Sequence, residues 1–155
     1  MMVPENQDRH RTAYTITVDY KHGNFSSKTP HQCLLFFSVL QGTTTGISAH
    51  DRSLTARALA SPHSLPSDFT RPGHMVPLRA REGGVLTRQG HTESAVDLCH
   101  LTNQRLAGVL CELVNDDAQG TMMRRDDCRA FADRWGLKMI SVKMLADWKR
   151  RTLVS

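Results

Sequence analysis

The sequence predicts a mixed α/β fold in a single domain, and three observations carry that expectation. Thr12–Tyr20 alternates apolar and polar residues with the two-residue period of a half-buried strand. Later segments carry helix caps and one-face apolar spacing, and the two kinds of segment alternate along 155 residues without an internal repeat. With 39% hydrophobic residues, a chain of this length supports one core of ordinary size.

In the first strand Tyr14, Ile16, Val18 and Tyr20 share one side, and Thr15, Thr17 and Asp19 the other. The stretch 24–42 breaks this character: polar Asn24 to Lys28, then Pro30, then the apolar octet Cys33–Leu40, which neither alternates nor has helical spacing. It reads as foreign to its flanks, and an octet left exposed is an aggregation hazard. From Asp51, an available N-cap, Arg52–Ala60 favours helix until Pro62 ends it. Pro66-Ser67-Asp68 and Arg71-Pro72-Gly73-His74 mark turns.

Gly83-Gly84 opens an extended run, Val85-Leu86-Thr87, that passes through Gly90 into a helix with Ala95, Leu98 and Cys99 on one face. Ala107–Val114 is apolar enough for a buried strand, with Glu112 embedded in it. Arg125–Trp135 is an amphipathic helix that Asp126 can cap and Gly136 can end, with Cys128, Phe131, Ala132 and Trp135 on its inner face. Leu137–Ile140 is a last strand. Ser141 caps the closing helix, whose Leu145 and Trp148 face inward while Lys149, Arg150 and Arg151 suit its negative end.

Composition removes several functions. No run of about 18 apolar residues spans a membrane, and the charged N-terminus lacks the apolar core of a signal peptide, so a cytoplasmic protein is expected. Cys33, Cys99, Cys111 and Cys128 form no CxxC pair, which argues against a zinc cage or a disulfide framework. The net charge of +5 suits nucleic acid or a phosphorylated small molecule. Only Lys149-Arg150-Arg151 is a compact basic run, however, and at 6% aromatic residues no stacking platform accompanies it, so nucleic acid is not expected as a partner.

Arg88-Gln89-Gly90-His91-Thr92 joins a guanidinium, a flexible glycine, an imidazole and a hydroxyl where the chain enters a helix. The helix N-terminus offers N–H groups and positive potential to a phosphate, Arg88 can fork two of its oxygens, and His91 can ligate a metal. By spacing alone, an ordinary helix cap explains the same residues. Glu112 is either a buried carboxylate, its pKa raised toward that of a useful base, or the exposed face of its strand. His74 sits in a loop stiffened by proline and glycine, where a lone histidine is usually inert. Asn115-Asp116-Asp117 is better explained as a turn than as a metal site.

Four blocks in order resemble the 3,4-dihydroxy-2-butanone 4-phosphate synthase family of riboflavin biosynthesis. They are Thr44-Thr45-Gly46-Ile47-Ser48-Ala49-His50-Asp51-Arg52, Pro66–His74, Gly83–Glu93 and Gly108–Asp116. The resemblance implies a lyase that takes D-ribulose 5-phosphate to 3,4-dihydroxy-2-butanone 4-phosphate and formate, using Mg2+ or Mn2+, in a homodimer. It implies His74 and Glu112 as the catalytic pair and Arg88, Gln89, Gly90, His91 and Thr92 as substrate-binding. Arg88 and Thr92 would hold the phosphate and His91 would ligate the metal, with Thr44 and Thr45 facing the substrate.

Two departures from the family pattern lower the turnover expected of this chain. An acidic loop that supplies a glutamate metal ligand in the family has no counterpart in Met1–His22. Members also run almost directly from Tyr20-Lys21-His22-Gly23 into Thr43-Thr44-Thr45-Gly46, so 24–42 reads as an insert, an intron retained in frame. Because Ser155 directly follows the last helix, no fused second enzyme is expected. A sugar-phosphate-binding or dimerisation module without turnover is the alternative reading.

Overall fold

The computed structural model describes residues 2–21 and 43–152, so the insert read at 24–42 lies outside the described residues. The expected mixture of helix and strand is present: β1 (Val18–Tyr20), α1 (Ala49–Ala60), β2 (Phe69–Met75), α2 (His91–Leu101), α3 (Arg125–Trp135) and α4 (Val142–Thr152). The chain divides into two compact units, 1–79 and 80–155.

In the first unit β1 and β2 pair antiparallel and α1 packs on them. Val18, Ala58 and Phe69 form the buried centre, flanked by Tyr20 and Leu59, and the Tyr20 and Phe69 rings meet edge-on at 6.0 Å. The alternating stretch 12–20 enters the strand only over its last three residues. Before them, isolated bridges join Met2 to Thr15 and Tyr14 to Leu78, and Tyr14 and Ile16 stay exposed. Asp19, placed by the alternation on the polar side, is buried.

β2 forms where turns are expected. Its Pro72 has no N–H to donate, which a two-stranded ladder tolerates. The cap of α1 is also shifted: Ser48 Oγ accepts from Asp51 N at 3.1 Å, so Asp51 lies inside the first turn. The helix ends at Ala60, ahead of Pro62.

In the second unit Gly83 and Gly84 adopt φ of 86° and 62°, the left-handed region that favours glycine. They curl Gly84–Leu86 into a 3-10 turn instead of the expected extended run. Asp97 of α2 fixes that turn by accepting from Val85 N at 2.9 Å, and its other oxygen meets Lys149 Nζ at 2.6 Å. Val85, Leu145 and Ala146 form the buried centre, with Leu86 and Val142 against it. α3 ends at Gly136 (φ 63°) as expected, although Asp127 rather than Asp126 accepts from the N–H of the capping residue Arg124, at 2.9 Å. Ser141 caps α4 through Met144 N at 3.1 Å.

Two expected strands and several expected apolar faces are not found in this unit. Ala107–Val114 is exposed throughout and carries no strand beyond one bridge from Val114 to Met122, and Leu137–Ile140 carries none. A strand needs a neighbour along its length to take its N–H and C=O groups, and beyond the contact at Leu113–Asn115 neither segment has one among the described residues. Trp135, Trp148 and Leu98 are likewise exposed, so the inner face of α2 is Thr92, Glu93 and Asp97.

Candidate functional site

His74 in the first unit is held by Asp19. The two strands pair Asp19 with Thr70 and Val18 with Met75, so β2 advances five residues while β1 steps by one. This irregularity brings His74 back onto Asp19, whose Oδ1 accepts from His74 N at 2.9 Å and whose Oδ2 lies 2.7 Å from His74 Nδ1. Two glycines make the approach possible. A Cβ on Gly73 would lie 2.1 Å from Val18 C, and one on Gly46 (φ 83°) would lie 2.1 Å from Asp19 Oδ2 and 2.8 Å from His74 Nδ1.

Beside this pair Asp51 shapes the turn 43–46. It accepts from Thr44 N at 3.0 Å, Thr44 Oγ1 at 2.8 Å and Gly46 N at 3.0 Å. The Thr44 N–H contributes most to holding the Asp51 carboxyl at about 2, outweighing the opposing effect of burial. Thr43 anchors the start of the turn by donating to the Tyr20 carbonyl. Asp19, Tyr20, Lys21, Thr43, Thr44, Thr45, Gly46 and Thr70 enclose an open hollow of about 260 Å³, so Thr44 and Thr45 do line a cavity.

In the second unit Arg88 precedes the start of α2, where Gly90 is the N-cap and puts no side chain over the helix end. Glu93, 1% exposed, braces the segment: Oε2 meets Arg88 NH1 at 2.7 Å and Oε1 accepts from Arg81 N at 3.0 Å. Burial alone would raise the Glu93 carboxyl, but the Arg81 N–H and the Arg88 guanidinium more than offset it and hold it below its ordinary range. Gly90 leaves room for this ion pair, since a Cβ there would lie 2.4 Å from Arg88 NH1 and 2.5 Å from Glu93 Oε2 unless those side-chain ends moved. Thr92 is buried in the first turn, whereas His91 and Gln89 are exposed.

Of the two readings of Glu112, the structure favours the exposed one. It is exposed and outside any strand, so the burial on which its tuning as a base rested is absent, for the same want of a neighbouring strand. Asp117 accepts from Gln119 N at 3.1 Å and Thr121 N at 3.0 Å, which makes Asn115–Asp117 a turn.

The donors for a divalent ion are incomplete. Among the described residues no three His, Cys, Asp or Glu side chains converge, and Glu93, two residues beyond His91, is committed to Arg81 and Arg88. His91 alone does not fit an ion that takes about six ligands.

Asp19, Asp51 and the bracing role of Glu93 escaped sequence reasoning. Asp19 sits on the polar side of an alternating strand and Asp51 resembles a cap. Only the glycines at 46, 73 and 90 hint that polar groups must approach closely there.

The chain is similar to proteins of known family. A family model described as 3,4-dihydroxy-2-butanone 4-phosphate synthase matches residues 24–148. The curated 3,4-dihydroxy-2-butanone 4-phosphate synthase of Saccharomyces cerevisiae is 52% identical over 146 residues, covering 94% of this chain and 61% of that protein. The riboflavin biosynthesis protein RibBA of Rhodococcus erythropolis is 48% identical over 150 residues, 97% of this chain and 31% of that protein. A crystal structure of a 3,4-dihydroxy-2-butanone 4-phosphate synthase in complex with two magnesium ions superposes with a TM-score of 0.72 at 40% identity, covering 96% of this chain and 65% of that one. The chain thus spans about three fifths of the length of the curated yeast relatives it matches.

Proposed function

This chain belongs to the 3,4-dihydroxy-2-butanone 4-phosphate synthase family, and from that we propose that it carries the lyase reaction converting D-ribulose 5-phosphate to 3,4-dihydroxy-2-butanone 4-phosphate and formate. The observation that carries the proposal is Arg88, braced by buried Glu93 beside the glycine-capped start of α2. A guanidinium fixed in this way meets a phosphate with little further loss of side-chain freedom, and the helix N-terminus favours the same charge.

In this reading Arg88 and Thr92 hold the phosphate. His74 removes and returns protons during enolisation and dehydration of the ketose, and Glu112 is its partner in proton transfer. Mg2+ or Mn2+ would supply Lewis-acid polarisation of the ketose oxygens, with His91 as one ligand. The magnesium-bound relative supports metal use, but the described residues do not complete a coordination sphere, and the proton transfers above are assigned to side chains alone. A cytoplasmic homodimer completes the proposal, on the strength of the family resemblance. Among the described residues no helix is long and apolar enough to cross a membrane.

The test is formate release from ribulose 5-phosphate with added Mg2+. Slow release that His74→Gln lowers in kcat and Arg88→Ala weakens in KM is the expected result. Release that neither substitution alters, or substrate binding with no formate at all, would overturn the lyase reading, the second in favour of a sugar-phosphate-binding module.

A further inference from the structure

We infer that Asp19 is a positioning residue that sets the tautomer of His74 and so selects Nε2 as its proton-transferring atom. The inference rests on the reading of His74 as a proton-transfer group. Its geometry does not depend on that reading.

Both oxygens of Asp19 are spent on one histidine, Oδ1 on the main-chain N–H and Oδ2 on Nδ1. An ionised carboxylate only accepts hydrogen bonds, so a 2.7 Å contact requires the ring proton to sit on Nδ1. A neutral imidazole with that proton on Nδ1 leaves its Nε2 lone pair unprotonated. The Asp19 side chain is 11% exposed and that of His74 44%, so the carboxylate is sequestered while the ring reaches solvent.

The surroundings preserve the arrangement. The Thr70 hydroxyl donates to the Asp19 carbonyl at 3.2 Å, and Gly73 N donates to Thr17 Oγ1 at 3.1 Å, which ties down both strands around the pair. Gly46 closes the third side, with no room for a Cβ against either partner. A surface ion pair needs none of this confinement. Fixing a base so that one nitrogen faces outward does.

Asp19→Asn keeps the shape and reverses the chemistry. Its carbonyl oxygen can still accept from His74 N, while its NH2 faces Nδ1 and drives the ring proton to Nε2. The expected readouts are two. Nitrogen-15 NMR of the intact chain at alkaline pH, where imidazoles are neutral, shows the Nδ1–H form of His74 in the native protein and the Nε2–H form in Asp19→Asn. Formate release then falls at least tenfold in kcat while KM changes by less than about threefold, the signature of a base lost in the reacting state.

An Nε2–H ring in the native protein overturns the proposal without reference to any variant. So does native kcat in Asp19→Asn when His74→Gln is impaired. If His74→Gln retains full turnover, it is the assignment of His74 as the base that fails, and the tautomer measurement still decides whether Asp19 sets the ring.

Discussion

The Arg88 guanidinium lies 2.7 Å from Glu93 Oε2, and that carboxylate is almost wholly enclosed. Under the proposed function, Arg88→Ala removes a charge-assisted contact to phosphate worth about 1.5–3 kcal/mol, so KM for ribulose 5-phosphate rises by roughly ten- to a hundredfold, measured by initial rates. Arg88→Lys recovers only part of this, since an ammonium cannot fork two oxygens. Glu93→Gln leaves Arg88 charged but unbraced and raises KM less. Its cost in stability is about 1–3 kcal/mol by urea unfolding.

His74→Gln lowers kcat by about 10²–10⁴ with KM nearly unchanged, the usual size of a lost general base. Glu112→Gln is expected to cost less, because solvent reaches that carboxylate. Parallel measurement of the two variants ranks them. Equal losses would mean that Glu112 is enclosed once substrate binds.

The turn 43–46 makes stability depend on acid. Asp51 is held at about 2 against an ordinary 3.8, so the folded state binds the proton more weakly than the unfolded chain. Its contribution is therefore complete above about pH 4 and is lost as pH falls through about 2. Urea unfolding between pH 5 and pH 2, values chosen to bracket this range, shows a steeper loss in the native protein than in Asp51→Asn, which has no carboxylate to protonate.

Turnover of this chain with Mg2+ is expected to stay below about 1 s⁻¹, the floor of ordinary enzyme rates, because His91 lacks converging ligands among the described residues. Titrating the metal while following formate tests this. Saturable activation to ordinary rates would show that a full ligand set assembles.

Leu145 is one of three residues at the buried centre of the second unit. Its truncation to alanine costs about 2–4 kcal/mol by denaturant unfolding. A loss under 1 kcal/mol would mean that the small core around Val85 closes over the gap.

Local signals were legible in the sequence where they are self-contained. Arg125–Trp135 carries its own period and its own stop at Gly136, and the α2 boundary follows from Gly90. What depends on a distant neighbour was not. Ala107–Val114 and Leu137–Ile140 have the composition of strands, yet a strand exists only where another chain segment completes its ladder. Composition likewise said little about β2, whose Pro72 and Gly73 are turn residues that the close approach of Val18 draws into a strand. For the candidate site, Arg88 to Thr92 could be proposed as a phosphate cradle because those residues are consecutive. The Asp19–His74 pair spans 55 positions and leaves no local trace.

Gly46 contributes no functional group, yet the volume a side chain would need there is already taken by the Asp19 carboxylate and the His74 ring. In a saturation library screened for turnover, position 46 should therefore tolerate as little as a reacting residue. Alanine, usually the mildest replacement, should be among the informative ones. A survey that looks for function only among side chains capable of chemistry would pass over it, although it guards the atoms to which the proposed proton transfer is assigned.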